Sequence, residues 1–374
     1  MLDALLADTR ALVECESPST DLAAVARSAE VVARVGAARL GRQPERIVLD
    51  GRTHLRWRFG SGPSRVLVLG HHDTVWPLGT LARIPYGVVG DVLRGPGCLD
   101  MKAGVAMAFQ TISALPDRDG ITLLVTGDEE LGSPSSRELV ESEARAAGAA
   151  LVLEAAADGG GLKTERKGVS RYELVVTGRA AHAGLAPERG VNATVELAHQ
   201  VLRIAALTDA GAGTTVTPTL SRAGTTTNTV PAGGSVAVDV RVRSVAEQDR
   251  VDGAIRRLTA VLPGAVIEVV GGPNRVPMEA AASAALFARA QELAHALGLP
   301  PLVATAVGGA SDGNLTAGVG TPTLDGLGAV GGGAHADDEH VLLEFLPGRT
   351  ALLTSLMAEL LSAAPARPGT SGAR

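Results

Sequence analysis

The sequence predicts an α/β protein: a largely parallel central sheet flanked by helices, interrupted by a smaller α+β domain. Three observations carry that expectation. Short apolar runs at Arg65–Leu69, Ile121–Val125 and Ala150–Leu153 alternate with helical patterns over Gly104–Leu115 and Ser135–Ala147, as buried strands and crossover helices do. From Lys167 the texture changes to strands of alternating polar and apolar residues. After Pro277 the helix–strand alternation resumes. A chain of 374 residues also exceeds one ordinary core, so two domains are expected.

In order, the stretch to about Leu40 reads as helical, with Leu2, Leu5, Leu6 and Leu12 at helical spacing. The middle of the chain gives a strand Tyr172–Thr177, a helix Asn192–Ala206 and a strand Thr215–Arg222. An alternating strand Ser235–Arg243, a helix Ala246–Val261 and a strand Val266–Val270 follow. That βαββαβ order is the ferredoxin-like arrangement. The expected division is therefore residues 1–166 with 277–374, carrying an inserted domain at 167–276. A helix Ala282–Leu297, Gly-rich loops and a helix Leu342–Leu361 complete the first domain, and the Pro/Gly/Ser-rich tail 363–374 is expected to be disordered.

Composition narrows the partners. Thirty-four basic residues against forty acidic ones give a net charge of −6, and no basic run stands out. Nucleic acid and anionic membranes are therefore not expected as partners. The amphipathic start lacks the n- and h-regions of a signal peptide, and no run is long and apolar enough to span a bilayer. Cys15 and Cys98 are too few for a disulfide framework. A cytoplasmic protein is the expectation.

Polar clusters follow the three apolar strands, where open α/β sheets build their sites. In Gly70-His71-His72-Asp73-Thr74, a continuing strand would put His71 and Asp73 on one face. An imidazole there is a metal ligand whose other nitrogen a carboxylate can hold, or the spacing is coincidental. Gly127-Asp128-Glu129-Glu130 is either a solvated acidic turn or a cation site, since three adjacent carboxylates repel. Glu154 ends the third strand and would be costly to bury unpaired. Asp100, in Gly95-Pro96-Gly97-Cys98-Leu99-Asp100, stands at a helix start, the position of a ligand or of an N-cap. His335 sits in a Gly-rich loop, as a ligand or a surface histidine.

The order of these motifs resembles the dizinc metallopeptidase family of glutamate carboxypeptidase, aminoacylase, acetylornithine deacetylase and succinyl-diaminopimelate desuccinylase. GHHDTV, GPGCLDMKAG, TGDEELGS, GRAAHAGLAPERGVNA and GGASD are most similar to glutamate carboxypeptidase. The resemblance spans about Arg65 to Leu361. It implies a catalytic zinc domain and an inserted lid and dimerisation domain, hence a homodimer. It further implies that His71 and Glu154 hold one Zn2+, Glu130 and His335 the other, and Asp100 bridges them, with Co2+ or Mn2+ able to substitute. Asp73 would orient His71, Glu129 would be the general base for attack by a zinc-bridging hydroxide, and the peptide after Asp100 would be cis.

By the same resemblance His182 stabilises the oxyanion or holds substrate. Asn228 and Arg241 match positions that bind the substrate carboxylate, and an arginine fork suits that group. Arg241 is equally explained by strand alternation. Arg275 is a second carboxylate candidate, and Gly309 and Ser311 are expected to line the pocket. The register of Leu162–Gly168 leaves open whether a lysine meets an acidic substrate side chain. Release of a C-terminal amino acid from a small peptide or N-acyl conjugate is the leading expectation, and N-acyl-amino-acid deacylation the alternative. A non-catalytic, zinc-stabilised amino-acid-binding dimer is a third, which loss of Glu129 or a ligand would have favoured.

Overall fold

The computed structural model describes residues 1–362; the expectation for the tail 363–374 lies outside the described residues. The chain forms two compact units. Met1–Glu165, Ala280–Val307 and Ser311 onward make the first, and Arg166–Glu279 with Gly308–Ala310 the second.

The N-terminal stretch is two helices, α1 (Leu2–Val13) and α2 (Leu22–Leu40). Between them Asp21 caps α2 by accepting the Ala24 amide at 2.9 Å, and Gly41, at φ 70°, ends it. Next come β1 (Glu45–Leu49) and β2 (Arg52–Arg58), an antiparallel hairpin turned at Asp50-Gly51, both with positive φ. The chain continues through β3 (Val66–His71), α3 (Ala103–Ala114), β4 (Ile121–Thr126), α4 (Arg137–Arg145) and β5 (Ala149–Val152).

The second unit then follows as β6 (Gly168–Thr177), α5 (Ala193–Ala205), β7 (Thr215–Ala223), β8 (Gly233–Val242), α6 (Val245–Arg256) and β9 (Val266–Arg275). The first unit resumes with α7 (Ala280–Ala296), α8 (Asp312–Gly318), β10 (Thr323–Leu324) and α9 (Leu346–Ser362).

The first unit's sheet runs β1-β2-β4-β3-β5-β10, with β3, β4, β5 and β10 parallel. Residues of β3 alternate between two cores. Val66 and Val68 join Trp57, Phe109 and Leu12 on one face, while Leu67 and Leu69 join Val140 and Leu315 on the other. Burial on both faces explains why these strands read as unbroken apolar runs. Register places the ends of β3, β4 and β5 side by side: His71 lies opposite Thr126, and Leu69 opposite Val152.

The second unit is a four-stranded antiparallel sheet, β7-β8-β6-β9, the ferredoxin-like order. Its core joins Tyr172, Leu174 and Val176 to Leu197, Val251 and Ile255 of the two helices. Several expected boundaries move, among them the start of β6 at Gly168 rather than Tyr172 and of α9 at Leu346 rather than Leu342. Helix α6 stops at Arg256 rather than Val261, because the Glu196 carboxylate accepts the amides of Val261 and Leu262 and draws the chain away. Strand β9 runs on past Val270 through Gly271, where a Cβ would stand 2.2 Å from the Arg171 carbonyl oxygen.

Candidate metal centre

Seven of the residues singled out in the sequence converge at the C-terminal edge of the parallel sheet, all within the first unit. His71 ends β3, Glu129 and Glu130 form a 3-10 turn just beyond β4, and Glu154 follows β5. Asp100 sits in a wide turn, Cys98–Lys102, that leads into α3, and the Asp100–Met101 peptide is cis. No side chain caps α3, so Asp100 does not serve as its N-cap. Its two oxygens face two histidines instead: Oδ1 is 3.2 Å from His71 Nε2 and Oδ2 is 3.4 Å from His335 Nε2. Glu154 lies 3.7 Å from the same His71 nitrogen, and Glu130 lies 3.2 Å from that of His335. Ligand-capable atoms of His71, Glu129 and Glu154, and of His71, Asp100 and Glu130, fall within 4.8 Å of one another.

The surroundings fix the orientation of these groups. His71 Nδ1 is 2.9 Å from the Asp73 carbonyl oxygen and 3.5 Å from its carboxylate, which leaves Nε2 to face the cluster. The Asp73 carboxylate accepts the Ser19 hydroxyl at 2.6 Å and the amides of Glu129 and Glu130 at 3.2 and 3.3 Å. His335 adopts φ 64°, a conformation rare for a side-chain-bearing residue, at the turn of its loop. Gly104 lets α3 touch the strand end: a Cβ there would meet the Leu153 carbonyl oxygen at 2.3 Å.

The gathered carboxylates give the cluster a negative field that favours positive charge on its histidines. Hydrogen bonds accepted by Asp100 and Glu130, against the pull of burial, raise His335 to about 10. Burial opposes the charge on Asp100, yet both histidines outweigh it and hold that carboxyl well below the usual carboxylate range. Burial pushes Glu130 up. Imidazole nitrogens and carboxylate oxygens, gathered and partly buried, are the donor set of zinc and similar divalent ions. The residues present fit such ions.

Burial is graded across the cluster. The His71 and Glu154 side chains are 1% and 9% exposed, whereas His335 is 49% exposed. His72 points away into the core, its ring nitrogens at the Ser28 hydroxyl and the Thr53 carbonyl, and burial lowers its pKa to about 4. Trp76 buries its indole and donates to Glu339 at 2.7 Å. Glu339 itself carried no signal in the sequence: it follows two exposed aspartates and reads as part of a solvated acidic run.

The other singled-out residues belong to the second unit, except Ser311. His182, exposed in the short strand Ala181–His182, accepts the amides of Gly184 and Leu185 on Nδ1, both at 3.1 Å, so its Nε2 carries the outward proton. The Asn228 carbonyl accepts the Ala183 amide at 2.9 Å, next to His182. The Arg241 fork is held by Asp239 at 2.7 and 3.0 Å. Arg275 is buried at the end of β9, and the Gly309 carbonyl accepts from Arg166. Ser311 caps α8 and donates to Asp325 at 2.6 Å.

A histidine–carboxylate cluster of this kind, at the C-terminal edge of a parallel sheet, defines a metal-dependent hydrolase of amide bonds, and comparison with known proteins agrees. The model of Peptidase family M20/M25/M40 matches residues 67–359, and the chain belongs to that family. It is 33% identical over 318 residues to Carboxypeptidase G2 of Pseudomonas sp. (strain RS-16), covering 80% of this chain and 75% of that protein. It is 28% identical over 203 residues to succinyl-diaminopimelate desuccinylase of Caulobacter vibrioides, about half of either chain (49% and 52%). In fold it is similar to an M20 family metallo-carboxypeptidase from Sulfolobus solfataricus, with TM-score 0.74, 16% identity and 95% and 99% of the two chains covered.

Proposed function

We propose that this protein is a dizinc carboxypeptidase that releases a C-terminal amino acid from a small peptide or an N-acyl conjugate. One observation carries the reading: Asp100 turns one oxygen toward each of two histidines, and each histidine has its own glutamate. His71 and Glu154 would hold one ion, His335 and Glu130 the second, with Asp100 shared. When bound, the ions lower the pKa of water and polarise the amide carbonyl.

The protein's own groups supply the rest. Glu129, held through its amide by Asp73, takes the proton of the attacking water and returns it to the leaving nitrogen. Substrate enters from the His335 side, the more exposed end of the cluster. His182 is the proposed donor to the developing oxyanion, and its Nδ1, accepting two amides, leaves Nε2 as the available N–H. Asn228, Arg241 and Arg275 are the candidates for the substrate carboxylate. Of these Arg241 must first exchange Asp239 for substrate.

The 33% identity to Carboxypeptidase G2 favours carboxypeptidase action; the shorter match to a desuccinylase supports N-acyl-amino-acid deacylation as the second reading. We propose a cytoplasmic homodimer formed through the second unit. The edge strand β7 is exposed along most of its length, with Leu220 68% exposed, and an unpaired edge is a template for association. Among the described residues no helix is long and apolar enough to cross a membrane.

A panel of C-terminal dipeptides and N-acyl amino acids, assayed with and without chelator, tests the reading. Chelator-sensitive release of C-terminal residues is expected. Cleavage that survives complete metal removal would overturn it, and turnover confined to N-acyl amino acids would favour the deacylase.

A further inference from the structure

Glu339 is 1% exposed, and among the described residues its carboxylate is held by hydrogen bonds from N–H groups rather than by an ion pair, with the buried Lys102 feeling its charge. Its partners are four N–H groups. Oε2 accepts the Gly97 amide at 2.8 Å and the Trp76 indole at 2.7 Å. Oε1 accepts the amides of Leu99 and Asp100 at 2.8 and 3.1 Å. Three of the four donors are therefore backbone amides of the loop that presents Asp100.

The same carboxylate comes from the other loop of the cluster, four residues after His335. Both loops leave one small antiparallel sheet. Val92–Arg94 pairs with His340–Leu342, which pairs in turn with Gly331–Gly332. The Asp100 loop departs after Arg94, and the His335 loop spans Gly333 to Glu339. Between their neighbouring roots the Glu339 carboxylate ties the Asp100 amide to the His335 loop.

We infer that Glu339 is a positioning residue that fixes the separation of Asp100 and His335, and so whether two ions can share the Asp100 carboxylate. This inference rests on the reading of Asp100 as the shared ligand. The nest also demands a carboxylate. Each oxygen faces two donors, so the amide of an isosteric glutamine would turn an NH2 group against two N–H groups. Outer contacts of this kind alter metal affinity about ten- to a hundred-fold.

The test compares wild type, Glu339→Gln and Trp76→Phe, each stripped of metal and titrated calorimetrically with Zn2+, with visible spectra of the Co2+ forms and apo melting temperatures alongside. For Glu339→Gln the expected result is a loss of about ten-fold or more in affinity for at least one ion, an altered Co2+ spectrum, and kcat falling more than KM rises. Trp76→Phe removes one donor and leaves the three amides, so a smaller loss with an unchanged apo melting temperature is expected. If Glu339→Gln does not fold, Trp76→Phe decides: unchanged affinity and spectrum would overturn the inference. A wild type that takes up fewer than two ions overturns both this inference and the two-ion reading. A wild type that takes two, beside an unaltered Glu339→Gln, overturns this inference alone.

Discussion

Asp73 Oδ1 accepts the backbone N–H of Glu129 at 3.2 Å, so the residue two places beyond His71 also fixes the residue proposed as the base. Its other oxygen accepts Ser19 and Glu130. Asp73→Asn would set an NH2 group against one of these donors. Steady-state kinetics should show kcat lowered about ten- to a hundred-fold, with Ser19→Ala far milder. An unaltered kcat in Asp73→Asn would remove Asp73 from any role in the site.

Glu129 and Glu130 are neighbours with different expected fates. Glu129→Gln should lower kcat by about 10²–10⁴-fold while the protein still takes up its full complement of metal, measured by elemental analysis. Glu130→Gln should lose metal. Full hydrolytic activity in Glu129→Gln would sink the assignment of the base.

Metal removal should act on stability as well as activity. The cluster brings four carboxylates together, and ions bound only by the folded chain stabilise it, by about 2.7 kcal/mol at a hundred times Kd for one site. Chelation should lower the melting temperature, and Zn2+ should restore it. A melting curve indifferent to both would contradict a structural contribution from the ions.

His54 gives a pH dependence away from the ligands. Burial lowers its pKa, and its Nδ1 accepts the Gly127 amide at 3.2 Å, a bond only the neutral ring can make. The unfolded chain therefore binds the proton more readily. Stability is full above about pH 6.5, the unfolded value, and is lost as pH falls below it, levelling off once the folded group titrates. Urea unfolding across pH 5–8 should show a shallower acid limb in His54→Gln than in wild type. Parallel limbs would mean that His54 contributes nothing.

Gly104→Ala tests the contact between α3 and the strand end before Glu154. The added methyl meets a backbone oxygen at 2.3 Å, so the helix must shift. A loss of about 1–3 kcal/mol in denaturant unfolding is expected, with lowered activity. A variant as stable and active as wild type would show that α3 moves freely at that point.

The sequence disclosed the site more readily than the scaffolding behind it. His71, Glu130 and Glu154 follow short apolar runs that read as buried strands alternating with helices, so their placement at one sheet edge was legible. The β1–β2 hairpin was not expected, although Asp50-Gly51 is a turn signal, because neither flanking strand alternates cleanly: β1 is largely exposed, and β2 buries Thr53, His54 and Leu55 in succession. Glu339 was hidden for another reason. Its partners are mostly main-chain amides, which every residue possesses, so no side-chain pattern announces a nest. The end of α6 likewise depended on Glu196, a carboxylate more than sixty residues from the amides it captures.

The second unit interrupts the first between Glu154 and His335, and that order has a consequence for how the protein is made. As the chain emerges from a ribosome, His71, Asp100, Glu130 and Glu154 appear early, beside a sheet that still lacks β10 at the flank of β5. Only after the whole second unit has been synthesised do β10, His335 and Glu339 arrive to close both the sheet and the cluster. A nascent chain halted inside the insertion would carry an open strand edge and an unfinished set of ligands. Ion loading of the proposed site would therefore belong to the final stage of biogenesis, and a shortage of metal would strand finished chains rather than growing ones.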